Sequence, residues 1–181
     1  MKICISGPQC SGKSTLMKAL GNIEMFEDYH FIDEPVRKLV AEKGIKINKI
    51  ADYESQMMIL EEHHRNTYRH YSLITDRGAL DAFTYATWSY LKGDYSYKEW
   101  TDFSDIFQKT MRRYDRIFIM PPLEMKNDGF RSLDVNWQNE IANLMEDIAN
   151  EWCAVNNWIV PVHNVPTGNT NDYVKFILSL V

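Results

Sequence analysis

Short apolar runs alternate with longer amphipathic stretches along this chain. Ile3-Cys4-Ile5 centres a predicted strand over residues 2–6, and a helix follows over about 13–20. Tyr29-His30-Phe31-Ile32-Asp33 reads as a second strand. Pro35 suits a first helical turn, where its missing N–H costs nothing, and the helix it opens runs to about Lys43, before Gly44. From Asp52 to about His70, Tyr53, Met57, Leu60, Thr67 and Tyr71 recur near i+3/i+4 spacing, which predicts another helix. Ser72-Leu73-Ile74-Thr75 reads as a third strand ending at Asp76, followed by helices over about 80–91 and 100–114. Residues 116–120 read as a fourth strand, closed by Pro121-Pro122. After the polar segment 123–133, Asp134 is a candidate N-cap for a long helix reaching about Asn156. Trp158-Ile159-Val160-Pro161-Val162 reads as a fifth strand, and Asn169 or Thr170 can cap a last helix.

Five short apolar strands separated by helices predict an α/β protein: a parallel sheet covered on both faces. In such sheets ligands lie at the carboxyl ends of the strands. The residues to inspect are therefore those just after Ser6, Ile32, Thr75, Met120 and Val162.

Length and composition narrow the class. The 181 residues suffice for one domain spanning 1–181, with 45% apolar and 25% charged residues, as in globular proteins. No apolar run is long enough for a membrane span, and the N-terminus lacks the apolar core of a signal peptide. Cys4, Cys10 and Cys153 cannot pair fully and have no CxxC spacing, which points to a reducing, cytoplasmic setting and away from a structural zinc site. The net charge of −5 speaks against extended nucleic-acid binding but allows a local basic pocket. A homodimer is left open.

The first strand runs into Gly7-Pro8-Gln9-Cys10-Ser11-Gly12-Lys13-Ser14-Thr15, a GxxxxGK[ST] loop placed between a strand and a helix. The glycines let backbone N–H groups point inward around a phosphate, and the helix N-terminus adds partial positive charge. Gly7, Gln9, Cys10, Ser11, Gly12, Lys13, Ser14 and Thr15 are thus the expected nucleotide-binding residues. Lys13 can reach the terminal phosphates of ATP, and Ser14 can bind Mg²⁺. Cys10 reads as a tolerated small residue.

Two strands end in acids beside this loop: Asp33-Glu34 after the second, and Asp76, followed by Arg77, after the third. Asp76 is placed to order Mg²⁺, while Asp33 or Glu34 could accept a proton from a phosphate acceptor or merely cap the next helix. Arg77 would face the same crevice. Arg131, in Asp128-Gly129-Phe130-Arg131-Ser132, reads as the arginine of a lid over 123–133 that closes on the transferred phosphoryl group.

Taken together, the P-loop, Asp33-Glu34-Pro35-Val36-Arg37, Thr75-Asp76-Arg77-Gly78 and the Arg131 segment resemble the P-loop nucleoside and nucleotide kinases. The nearest likeness is to small AAA-type kinase domains related to thymidylate kinase and ribosylnicotinamide kinase. The resemblance implies strand order 2-3-1-4-5, a Walker B-type role for Asp76 and lid membership for Arg131. It likens Glu34-Pro35-Val36 to a motif whose Glu activates a sugar hydroxyl, Asp76-Arg77 to one whose Arg contacts phosphate, and Gln56 to a base-binding Gln. Gly78 departs from the family, where Tyr or Ser is usual, and the lid has fewer arginines than several relatives have. The expected acceptor is a nucleoside, a nucleoside monophosphate or a similar small molecule, with Gln56, Arg37, Asp81 and Tyr85 as contacts.

Other signals are weaker. Asp81, Tyr85 and Trp88 share a helical face that could stack a base or belong to the core. His63-His64 has no metal-ligand spacing and reads as ordinary helix sequence, and Trp137, Trp152 and Trp158 read as packing. The segment 162–166 lies where such kinases wrap adenine. Two other functions fit the P-loop: a kinase acting on a nucleic-acid end or modified base, and an NTP-binding ATPase or switch without an acceptor.

Overall fold

The computed structural model describes residues 1–33, 35–47, 51–124 and 134–181. Five strands form one parallel sheet: β1 (Lys2–Ser6), β2 (His30–Ile32), β3 (Leu73–Asp76), β4 (Arg116–Ile119) and β5 (Val162–Asn164). Their order is β2-β3-β1-β4-β5, as the family resemblance implied. The helices are α1 (Lys13–Leu20), α2 (Pro35–Lys43), α3 (Tyr53–Arg69), α4 (Ala79–Leu91), α5 (Tyr97–Met111), α6 (Val135–Val155) and α7 (Thr170–Leu178).

The sheet is apolar on both faces because helices cover both. Along β1 the side chains alternate: Cys4 joins a core with Leu60, Leu80, Phe103 and Ile117, while Ile3 and Ile5 join another with Leu16, Phe118 and Ile177. Burial on both faces explains why the strands read as continuous apolar runs rather than as alternation. In register, Ile5 pairs with Asp76 and Ser6 with Ile119, so the P-loop leaves the sheet level with the ends of β3 and β4.

Asp52, Asp134 and Asn169 each cap the helix that follows, through Ser55 N–H, Trp137 N–H, and the N–H groups of Asn171 and Asp172. Two elements differ from the sequence expectation. The fifth strand lies at Val162–Asn164 instead of 158–162, so part of the segment expected to wrap adenine is strand. Asn157 and Trp158 adopt positive φ (52° and 56°) in the turn that ends α6, and Pro161 has no N–H to give a sheet. This turn leaves Trp158 59% exposed, so it does not pack, whereas Trp137 and Trp152 are buried as expected. The helix expected over 100–114 begins at Tyr97, because Ser96 and Glu99 form a reciprocal capping box.

Among the described residues, no helix is long and apolar enough to cross a membrane.

Candidate active site

The P-loop takes its shape from three left-handed or near-mirror backbone positions, Gly7 (φ 148°), Cys10 (φ 54°) and Gly12 (φ 80°). At Gly7 a side chain would also strike the Met120 carbonyl at 2.9 Å, so the residue just after β4 holds the loop from outside. Lys13 curls over the loop, and its ammonium donates to the carbonyls of Gly7 (2.8 Å) and Pro8 (2.7 Å) and to Ser11 Oγ (2.8 Å). A phosphate entering the loop would exchange these acceptors for its own oxygens.

Behind the loop, Ser14 Oγ donates to Asp76 Oδ2 at 3.0 Å. Asp76 Oδ1 is buried with no hydrogen-bond partner among the described residues. An unpaired buried carboxylate oxygen beside a hydroxyl is a hard-oxygen donor set that suits Mg²⁺, which prefers one or two protein ligands and completes its shell with water and phosphate. No cluster of three or more His, Cys, Asp or Glu suited to a metal occurs among the described residues.

Arg77 stands at the turn after β3 with φ 73°, a conformation costly for a residue with a Cβ. Its backbone N–H donates to the Ile5 carbonyl (2.9 Å), and its own carbonyl accepts from Thr75 Oγ1 (2.8 Å), which hold the strained turn in place. Burial alone would lower the Arg77 pKa. The neighbouring Tyr85, Asp81 and Asp76 outweigh that and raise it, so the guanidinium stays charged.

Asp81, expected as a substrate contact, also braces the loop. It is 1% exposed, and its Oδ1 accepts from Gly7 N–H (3.2 Å) and Arg77 Nη1 (3.1 Å) while Oδ2 accepts from Gly78 N–H (3.0 Å). The carboxylate thus fastens the P-loop to the β3 turn. It lines the cavity with its oxygens already committed to protein donors.

A cavity of about 180 Å³ opens from this cluster. The P-loop lines it through Gln9, Ser11, Gly12, Lys13, Ser14 and Thr15, with Asp76 and Arg77 beside them. It is also walled by Val36, Ile47, Ile59 and Ala82, with Arg37, Gln56 and Tyr85. Gln56 is 4% exposed and donates through Nε2 to the Ala82 carbonyl at 2.9 Å, which fixes its amide against α4. Tyr85 lies with its ring 5.8 Å from that of Trp137 and from the Arg77 guanidinium. Trp88 stays out of the cavity: it packs on Trp137 and donates to Glu140.

Twelve of the seventeen residues expected at the site line this cavity. Gly7 and Cys10 shape the loop but do not line the cavity, and Asp33 ends β2 without lining it either. Glu34, Arg131 and residues 125–133 of the expected lid lie outside the described residues.

His63 and Gln138 are among the site residues that escaped the sequence reading. His63, read as ordinary helix sequence, lines the cavity at 2% exposure. Its spacing carried the signal, since Gln56, Ile59 and His63 recur at i, i+3 and i+7 on one face of α3. Gln138 on α6 is buried and donates to the carbonyls of Gln9 (2.7 Å) and Leu123 (3.1 Å), tying the P-loop to the chain after β4. No local pattern marks that contact, because its partners lie far away in sequence.

Residues 2–172 match the family model described as an AAA domain, and the chain belongs to that family. Its fold is that of the P-loop nucleoside and nucleotide kinases. Deoxyadenosine kinase from M. mycoides, solved with products dcmp and a flexible dcdp bound, superposes with a TM-score of 0.67 at 14% identity, over 99% of this chain and 97% of that one. NadR protein in complex with NR superposes with a TM-score of 0.70 at 18% identity, over 98% of this chain and 50% of that one. Thymidylate kinase from Candida albicans gives a TM-score of 0.64 at 14% identity, over 98% and 89% of the two chains. No curated protein matches this chain by sequence.

Proposed function

We propose that this protein is a kinase of one domain, residues 1–181, that transfers a phosphoryl group from ATP to a nucleoside, a nucleoside monophosphate or a similar small molecule in the cytoplasm. The observation that carries this reading is the continuity of the cavity. A phosphate cradle with Lys13, Ser14, Asp76 and Arg77 opens directly onto an apolar wall with a fixed amide, Gln56. An ATPase or switch needs only the first half. A small planar acceptor with polar edges suits the second half, as ligand pockets pair apolar walls with a few placed polar groups.

The residues have distinct tasks in this reading. The α1 N-terminus and Lys13 hold the β- and γ-phosphates of ATP. Ser14 and Asp76 would hold Mg²⁺, which when bound neutralises phosphate charge. An acceptor oxygen attacks the γ-phosphorus, the bond to the β–γ bridging oxygen breaks, and ADP leaves. Arg77, charged and fixed by Asp81, stabilises the negative charge on the transferred group. Where the acceptor is a hydroxyl, its proton passes to a carboxylate at the end of β2. The resemblance assigns this role to Glu34, with Asp33 as the neighbouring choice, and gives Arg131 a place near the transferred group.

The test is ADP release measured with ATP and Mg²⁺ over a panel of nucleosides and nucleoside monophosphates, with and without the Lys13→Ala substitution. Acceptor-dependent turnover that falls by about 10² or more in Lys13→Ala is the expected result. Turnover indifferent to every acceptor would leave an ATPase, and turnover stimulated only by nucleic-acid ends would name a different substrate.

A further inference from the structure

α3 sends three side chains into the cavity, and one of them has no task in the reading above. Gln56 holds the Ala82 carbonyl, and Ile59 is apolar wall. His63, two turns further along the same face, is 2% exposed, and its Nε2 is buried with no hydrogen-bond partner among the described residues. A buried imidazole nitrogen left without a partner keeps its full desolvation penalty, which is recovered only if something else supplies the bond. His64, the next residue, shows the contrast: its Nδ1 is paired with Thr110 Oγ1 at 2.7 Å on the side facing α5.

We propose that His63 is a specificity-determining residue whose Nε2 forms a hydrogen bond with a neutral polar group of the phosphate acceptor. This inference rests on the kinase reading above and adds the kind of acceptor chemistry that the pocket selects.

Three observations bear on it. Gln56 and His63 are seven residues apart, so their Cα positions are about 10 Å apart along α3. The two polar groups therefore address separated parts of one ligand, with Ile59 against its apolar middle. His63 lines the same cavity as Arg77 and Asp76, and both charges act on it. Burial, with Arg77 adding to it, keeps the imidazole neutral, so it offers either a lone pair or an N–H and no charge. The pocket thus discriminates by hydrogen bonding: an acceptor that presents a hydroxyl, amide or carbonyl to His63 satisfies the nitrogen, and one that presents a methylene leaves it unpaired. Such polar mismatches discriminate more strongly than the gain or loss of a methylene in an apolar pocket.

The experiment measures kcat and KM for ATP and for the best acceptor from the panel in wild type, His63→Leu and His63→Gln, with far-UV circular dichroism as a folding control. Leu keeps bulk and removes hydrogen bonding, whereas Gln returns a donor and an acceptor at nearly the reach of Nε2. The expected result is an acceptor KM raised at least tenfold in His63→Leu, an ATP KM within twofold of wild type, and recovery of most of the acceptor affinity in His63→Gln. The proposal is overturned if acceptor KM is unchanged in a folded His63→Leu. It is also overturned if ATP and acceptor constants worsen together and Gln rescues neither, which would make His63 a packing residue. Should wild type show no acceptor-dependent turnover at all, the kinase reading itself falls and this inference falls with it. That outcome is visible in the wild-type arm alone.

Discussion

Gly78 shows how a single position can depart from its relatives without loosening the site. A Cβ there would collide with Cys4 Sγ and come within 2.8 Å of Tyr114 Oη. Both side chains are buried, and burial raises the pKa of each, so both stay protonated and neutral. The space beside Gly78 is filled by Cys4 from β1 and by Tyr114 from the turn after α5. The fold constrains Gly78 by packing rather than by backbone, since its φ of −156° is open to any residue. His63 makes a second point at this scale. Burial, with Arg77 as the next cause, lowers its pKa to about 4 from the ordinary 6.5. A histidine with a lowered folded-state pKa takes up a proton more readily when unfolded. Its neutral form therefore costs no stability above pH 6.5, and stability is lost as the pH falls from 6.5 toward 4. The difference amounts to about 3 kcal/mol when complete. Urea unfolding at pH 7 and pH 4.5 should show a smaller acid-induced loss in His63→Gln than in wild type. Equal losses would mean that His63 is not the buried neutral group described here.

At the scale of elements, caps and apolar runs were legible wherever the controlling residues are adjacent in sequence. Asp52, Asp134 and Asn169 each accept a backbone N–H within three residues, so their helices begin where the sequence placed them. The start of α5 was missed although it is equally local. The predicted boundary followed Trp100, whereas Ser96 Oγ accepts Glu99 N–H at 3.2 Å and Glu99 Oε2 accepts Ser96 N–H at 2.7 Å. β5 was placed four residues early because the apolar Trp158-Ile159-Val160 resembles a strand by composition. The positive φ values at Asn157 and Trp158, which sequence does not display, turn that run out of the sheet, together with Pro161. The α5 cap gives a direct measurement. Ser96→Ala should destabilise the protein by about 1 kcal/mol, lowering Tm by roughly 2–4 °C for a chain of this size. ATP turnover should be unaffected, since Ser96 is remote from the cavity. A loss of activity larger than the loss of stability would show that α5 communicates with the site through Trp100, whose indole donates to Thr87 of α4 at 3.0 Å.

The molecule as a whole brings its site together from segments far apart in the chain: the P-loop, α2, α3, the β3 turn and α4. The phosphate half was legible because a contiguous motif encodes it. The acceptor half was only partly so, because the cavity depends on how α2 and α3 pack over the sheet edge. Arg37, Gln56 and Tyr85 were found by resemblance and helical spacing, whereas Ile47 and His63 needed the packed structure. A site built across so many segments links ligand binding to global stability, because the cavity exists only in the folded chain. ATP at a hundred times its dissociation constant should add about 2.7 kcal/mol to unfolding free energy, which corresponds to a Tm rise of roughly 5–10 °C. Lys13→Ala should lose most of that rise. Asp76→Asn, which keeps a side chain able to accept from Ser14, should retain the rise with ATP alone and lose the extra increment that Mg²⁺ brings to wild type. Thermal unfolding with ATP, with Mg²⁺ and with both, in the three proteins, measures each part separately. If Mg²⁺ adds the same increment in Asp76→Asn as in wild type, the unpaired Oδ1 of Asp76 is not there for the metal.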